Sequence, residues 1–247
     1  FASGRKSYNL DTWAMSEENL KHVISTASNS SLIINEGSMG LYDGVSLRGA
    51  CGNGATSEIS IKYGWPVVLI IDISGQAQSS AATALGFIKF QKLPFAGVVL
   101  NNVASARHER LVRFGMKKHQ ITVLGSIPRQ KQLSMPERHL GLVQADEQEN
   151  LEEKIDKLAQ LIESNTDISK IQKLAKCNFF FGKDKFVLKP PGQRIAVAKD
   201  QAFSFIYPHI FDDWRRQGSE IHFFSPLNNE TPKINSDFVW MPGGYPE

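Results

Sequence analysis

Four short apolar runs, spaced by segments of helical pattern, constrain this chain more than any other feature. They are SLIIN (31–35), PVVLIID (66–72), FAGVVLNN (95–102) and ITVLGSIP (121–128). Each is a continuous Val/Ile/Leu run rather than an alternating one, the pattern of a strand covered on both faces. Between them lie helix signals. Ser16 stands as a cap before EENLKHVIST, SSAATALGFIKF is rich in small helix-compatible residues, and RHERLVRFGMKK ends in cations that suit a helix C-terminus. Strands alternating with helices imply an α/β fold, a doubly wound parallel sheet.

Further along, EQENLEEKIDKLAQLIES places Leu151, Ile155, Leu158 and Ile162 on one helical face, with Asp146 and Glu149 spaced as a capping box. A less regular stretch ends in LKPPGQ (188–193), where Pro-Pro-Gly marks a linker. The pattern then restarts: RIAVA reads as a strand, FSFIYPHIFDDWRRQG as mainly helical, and EIHFFSP and DFVWMPGG as strands. The organisation expected is a domain over 1–165, a linker over 166–193 and the start of a second α/β domain over 194–247. The opening FASGRKSYNLD and the closing MPGGYPE both read as mid-domain text, so the chain is expected to be a fragment lacking both ends.

Composition narrows the classes. No apolar run approaches 18 residues, which argues against a membrane span. Two cysteines, Cys51 and Cys177, cannot build a disulfide framework or a cysteine zinc site and fit a reducing, cytoplasmic setting. The six histidines lack metal-ligand spacing, and a net charge of +3 is too mild and too evenly spread to argue for nucleic acid.

In open parallel sheets ligands bind at the carboxyl ends of the strands. Glu36 follows the first run, Asp72 the second, Asn101 and Asn102 the third, and Pro128-Arg129 the fourth. Glu36 occupies the position from which a phosphate-held Mg²⁺ is ligated, and Gly37, Gly40 and Gly44 leave the loop free to turn toward a ligand. Asp43 follows as a residue that could orient a second reactant. The segment GACGNGAT (49–56) imitates a phosphate loop but has Ala55 where the lysine belongs, and YDGVSLR before it is no buried strand. Cys51 has no evident base beside it, so a nucleophile there is weakly supported.

NLDTWAMS, NEGSMGLYDG, GVVLNNVASARHERL, LGSIPR and MPERHLGLV, followed by RIAVAKDQAFSFIYP, FFSPLNNE and MPGGYPE, closely resemble the cobyrinic acid a,c-diamide synthase family over nearly the whole chain, in order. The resemblance implies a glutamine-dependent, ATP-using amidoligase of cobalamin biosynthesis. Its first domain would be of the dethiobiotin-synthetase type of P-loop fold, and its second the start of a class I glutamine amidotransferase. ATP with Mg²⁺ would phosphorylate a carboxylate of a tetrapyrrole, and ammonia from glutamine would attack the acyl phosphate. By that likeness Glu36 is the Mg²⁺ ligand, and Tyr42 and Asp43 position the substrate carboxylate. Asn101 faces the adenine edge with Pro128 and Arg129 nearby, Arg138 and His139 meet peripheral carboxylates of the substrate, and Gly243 and Gly244 form an oxyanion hole. The implied partners are a tetrapyrrole polycarboxylate, glutamine and ATP, with no nucleic acid and no membrane; a homodimer is compatible.

The chain departs from that pattern in places. The phosphate loop with its lysine belongs upstream of this sequence, and the glutaminase cysteine and histidine downstream. Asn35 stands where the family pattern suggests Val, and Gln78 where it suggests Arg. Alternatives left open are amidation of nickel-sirohydrochlorin or of metal-free hydrogenobyrinic acid, a cobyric acid synthase, a partition-type ATPase switch, and a non-catalytic remnant.

Overall fold

The structure, a computed structural model, describes residues 3–130, 150–175 and 188–244, together with the backbone of 137–138 and 141–142. Asp146, Glu149, His139 and Cys177 lie outside the described residues.

Two compact units emerge, and they do not follow the chain in order. One holds residues 31–175 with the first few residues; the other takes residues 6–30 together with 188–244. Residues 6–30, expected from the sequence to belong to the domain over 1–165, belong to the second unit.

In the first unit, β1 (Val67–Asp72), β2 (Phe95–Val103) and β3 (Val123–Pro128) form a parallel sheet in that order, with β2 central. These are three of the four apolar runs. On one face pack α3 (Ser80–Phe90) and α4 (Ala106–Lys118), which join Ala81, Ala84, Val112 and Met116 to Leu69, Ile71, Val98 and Leu100 in one core. The small residues on α3 let it lie close to the strands. The opposite face buries Val99, Leu124 and Ile127, with Leu161 of α5 (Leu151–Asn165) and Ile171 and Leu174 of α6 (Ile168–Leu174) packed against them. Leu161 therefore faces the core, whereas Ile162, assigned to the apolar face from spacing, is 40% exposed. A short antiparallel pair joins β4 (Glu137–Arg138) to β5 (Gly141–Leu142).

The fourth run is a correction. Residues 31–35 form no strand, and Leu32 and Ile34 are 41% and 85% exposed. A strand persists where a neighbour takes up its backbone N–H and C=O groups. The first unit's parallel sheet is β1-β2-β3, and none of the three pairs with this segment. Glu36 thus follows an irregular segment and not a strand end.

In the second unit, β6 (Arg194–Ala198) lies between β7 (Glu220–Phe224) and β8 (Phe238–Trp240), all parallel. The helix α7 (Pro208–Arg216) lays Phe211 and Trp214 on Ile195, Val197 and Trp240. It starts at Pro208, later than the run of helical pattern that opens at Phe203, because proline suits the first helical turn and its predecessor disfavours helical backbone. The helix α1 (Glu17–Ser25), capped by Ser16 as its spacing indicates, buries Leu20, Val23 and Ile24 here. The segment leading into α1 and the helix itself are tied to α7 by Lys6–Asp212 at 2.7 Å and His22–Asp213 at 2.9 Å.

Candidate functional site

The carboxyl edge of the first sheet collects three of the four polar clusters. Asp72 closes β1 and pairs in register with Asn101 near the end of β2. One carboxylate oxygen of Asp72 accepts the Ser74 N–H at 2.8 Å, and the other accepts an N–H of the Asn102 side chain at 3.0 Å. Bonds from Ser74, helped by Asn102 and the positive charge of Arg129, hold the Asp72 carboxyl below its ordinary pKa. Arg129 follows β3 and donates its backbone N–H to the Val103 carbonyl at 3.0 Å, which fastens the loop after β3 to β2. The Arg129 side chain is exposed.

The loop between β1 and α3 is clamped from α4. His108 accepts the Ala104 N–H through Nδ1 at 3.1 Å and donates through Nε2 to the Gln76 carbonyl at 2.5 Å, so both bonds are made by the neutral ring with its proton on Nε2. Thr83 adds a 3.1 Å bond to the Gln76 side chain. Gly115 completes the clamp, because a Cβ there would lie 3.0 Å from Gln78 Cα and 3.0 Å from Gln78 O. Gln78 itself is exposed beside this edge.

The loop carrying Glu36, Tyr42 and Asp43 is anchored elsewhere. Leu41 enters the core and accepts the Ser57 N–H at 2.9 Å through its carbonyl, while Tyr42 lies over Phe87 and Phe90 in the last turn of α3. At 1.5 Å per residue, Ser80 and Phe87 are about 10 Å apart along that helix. Glu36 and Asp43 are both exposed. Among the described residues, neither shares a hydrogen bond or ion pair with Asp72, Asn101 or Arg129. The backbone of Arg138 lies in β4.

GACGNGAT follows coil, not a strand, and leads into α2 (Thr56–Tyr63). The Glu58 carboxylate accepts the N–H of Asn53 at 3.0 Å and of Gly54 at 3.2 Å. A carboxylate of the chain itself occupies the place that a phosphate takes in a true phosphate loop.

At the carboxyl edge of the second sheet, the Phe205 N–H donates to the Gly243 carbonyl at 2.9 Å. A Cβ on Gly244 would run into the Ala202 carbonyl oxygen, so the turn after β8 requires glycine there. The loop opposite is organised by Asp200, whose carboxylate accepts from the N–H groups of Ala202, Phe203 and Leu227 and from the Ser225 hydroxyl at 2.9–3.1 Å. Burial pushes the Asp200 carboxyl up, but these donors prevail and its pKa lies below normal. Sequence reasoning did not single out Asp200, His108 or the Asp72–Asn102 pair.

No group of three or more His, Cys, Asp or Glu residues that could hold a metal ion occurs among the described residues. No described helix is long and apolar enough to cross a membrane.

No protein-family model matches the chain, and no solved structure matches it. Curated proteins do. The chain is 47% identical over 247 residues to a Rhodobacter capsulatus protein named hydrogenobyrinate a,c-diamide synthase, covering 100% of this chain and 57% of that relative. Proteins of the same name from Brucella ovis and Agrobacterium fabrum are 43% and 40% identical, again across 100% of this chain and 57% of theirs. The chain thus spans a little over half the length of the curated relatives it matches.

Proposed function

We propose, for a chain similar along its whole length to hydrogenobyrinate a,c-diamide synthases, that the parent protein amidates the a and c carboxylates of hydrogenobyrinic or cobyrinic acid. The observation that carries this reading is 47% identity extending over all 247 residues. The proposed donor is glutamine and the proposed energy source ATP. A carboxylate is a poor electrophile, and its oxygen is a poor leaving group. In the reaction envisaged, a substrate carboxylate oxygen attacks the terminal phosphorus of ATP and ADP leaves. Ammonia then attacks the acyl carbon, phosphate departs and a proton is released, giving the amide.

Glu36 is assigned to Mg²⁺ in this reading. A Mg²⁺ held mainly by phosphate oxygens and water needs only one or two protein carboxylates, and Glu36 is an exposed carboxylate that forms no ion pair among the described residues. When bound, the ion would offset phosphate charge. Asp43 is assigned to alignment of the reacting carboxylate. Tyr42 contributes by anchoring that loop, since its hydroxyl is engaged by Phe87. Asn101, Pro128 and Arg129 are assigned to the nucleotide, and Arg138 and His139 to the substrate's outer carboxylates. Gly243 and Gly244 are assigned to the glutaminase oxyanion hole. Nickel-sirohydrochlorin is disfavoured because the relatives carry the hydrogenobyrinate name.

The test is to supply the intact protein with hydrogenobyrinate, glutamine and Mg²⁺–ATP and to measure mono- and diamide together with ADP. Glu36→Gln is expected to lower amide formation by about 10–100-fold, as loss of one metal contact does, while glutamine hydrolysis persists. Unchanged amidation at saturating ATP removes Glu36 from the site, and amide formed without ADP removes the acyl phosphate.

A further inference from the structure

The central strand of the first sheet breaks its own ladder where the candidate site begins. β2 and β3 pair through Leu100–Ser126 and resume only at Val103–Pro128, so Asn101 and Asn102 form an irregularity between them. Asn102 adopts left-handed backbone, with φ at 62°. Asparagine tolerates that region better than most residues, and Asn150 and Asn229 adopt it too; Asn102 differs from them in being tied to a neighbouring strand. Two bonds tie it to the first strand and its following residue: the Asn102 side chain donates to Asp72 Oδ2 at 3.0 Å, and the Ile73 N–H donates to the Asn101 carbonyl at 3.0 Å. Irregularities of this kind at strand ends re-aim side chains beside ligand sites. Asn101, immediately before the left-handed residue, is half-buried, and its carboxamide makes no hydrogen bond among the described residues.

We propose that Asp72 is a positioning residue for base selectivity: by holding Asn102 left-handed, it fixes the strand irregularity that presents the Asn101 carboxamide to an adenine edge. A carboxamide offers one acceptor and one pair of donors side by side. Adenine answers with its N6 amino group and N7, whereas guanine offers two acceptors, O6 and N7, at the same edge. The discrimination therefore depends on the rotation and placement of a single amide, and Asp72 acts on those without touching the base. The proposal rests on the nucleotide-dependent reading above.

The experiment is displacement of a fluorescent ATP analogue from the intact protein by ATP and by GTP. Asp72→Ala is expected to reduce the preference for ATP over GTP by about tenfold, within the range one bidentate amide–base contact commands, with GTP affinity little changed. Asn101→Ala is expected to abolish the preference whether or not Asp72 is present. Asn102→Gly keeps it, and keeps it also in combination with Asp72→Ala, because glycine takes positive φ without a carboxylate to hold it. A general loss of fold would weaken both nucleotides together, and that outcome, or an unchanged ratio in Asp72→Ala, overturns the positioning role. An unmutated protein that binds neither nucleotide overturns the ATP reading itself.

Discussion

The Tyr42 hydroxyl donates a 2.5 Å hydrogen bond to the Phe87 carbonyl, and its ring lies over Phe87 and Phe90 with centroids 6.0 and 4.7 Å away. Phe87 is in the last turn of α3, where carbonyls have no partner within the helix. Tyr42 thus supplies a missing donor and pins the glycine-rich loop to the first unit. Burial accordingly raises the pKa of its phenol.

Tyr42→Phe should therefore lower the stability of the first unit by about 1 kcal/mol, the usual net worth of one such bond. Equilibrium urea unfolding measures it. A substrate-binding role predicts the opposite split, with stability retained and KM for the tetrapyrrole raised.

The two helical glycines of this unit should behave in opposite ways. Gly86 sits exposed in α3 with nothing near a prospective Cβ, so Gly86→Ala should stabilise by about 0.5–1 kcal/mol. Gly115 faces the Gln78 backbone, which cannot readily yield because Gln78 O accepts the Ala81 N–H and Gln76 O is held by His108. Gly115→Val should destabilise by about 1–3 kcal/mol through overpacking. Thermal unfolding of both variants decides, and a stabilised Gly115→Val would mean that the loop is not clamped against α4.

The sequence disclosed the strands that found partners and misjudged the one that did not. The run at 31–35 carries the same apolar signal as the run at 66–72, yet only the latter acquires a ladder, from Val67–Phe95 to Asp72–Asn101. A run states a preference for extended backbone, and pairing needs a neighbour that the run does not name. The same limit applies to residues 6–30. Lys6 and Asp212 are 206 positions apart, and nothing local couples them. At the carboxyl edge, Asp72, Asn101 and Arg129 were legible because each lies at or just beside the carboxyl end of an apolar run, where ligand-facing residues collect. The Asn102 conformation was less so, although an Asn-Asn pair closing a strand is a usable signal for left-handed backbone. His108 and Asp200 carry no local signature, since their roles arise only once separate loops meet.

His209 gives the second unit a pH dependence. It is 2% exposed, and burial pushes its pKa below the ordinary value, with the Asp213 charge opposing, His22 reinforcing and Asp212 opposing. The unfolded chain, titrating near 6.5, binds a proton that the folded state refuses. Stability from this group is therefore fully present above about pH 6.5 and falls as pH drops toward the folded value, by at most about 1.4 kcal/mol per pH unit. Urea midpoints of the second unit between pH 5 and 8 should decline toward acid more steeply in the unmutated protein than in His209→Gln. Identical slopes would show that the ring titrates normally.

The turn after β8 separates shape from chemistry, because its two glycines differ. A Cβ on Gly243 would make ordinary contact with the Phe205 ring, at 3.4 Å from Cδ2, whereas one on Gly244 would collide with the Ala202 carbonyl oxygen. Ala202 cannot retreat freely, since its own N–H is bound to Asp200 at 2.9 Å and the neighbouring Phe203 N–H at 3.1 Å. Gly243→Ala should leave stability within about 0.5 kcal/mol, as substitutions without strain do. Gly244→Ala must displace the 200–205 loop, which hydrogen exchange at Ala202, Phe203 and Phe205 reports directly. If the turn supplies the N–H groups of an oxyanion hole, losing their placement lowers glutamine hydrolysis in the intact protein by about 10²–10³-fold, and Gly243→Ala lowers it far less. Full hydrolysis by Gly244→Ala, with the loop visibly displaced, would take the turn out of the proposed glutaminase site and leave it as a packing device between β8 and the loop after β6.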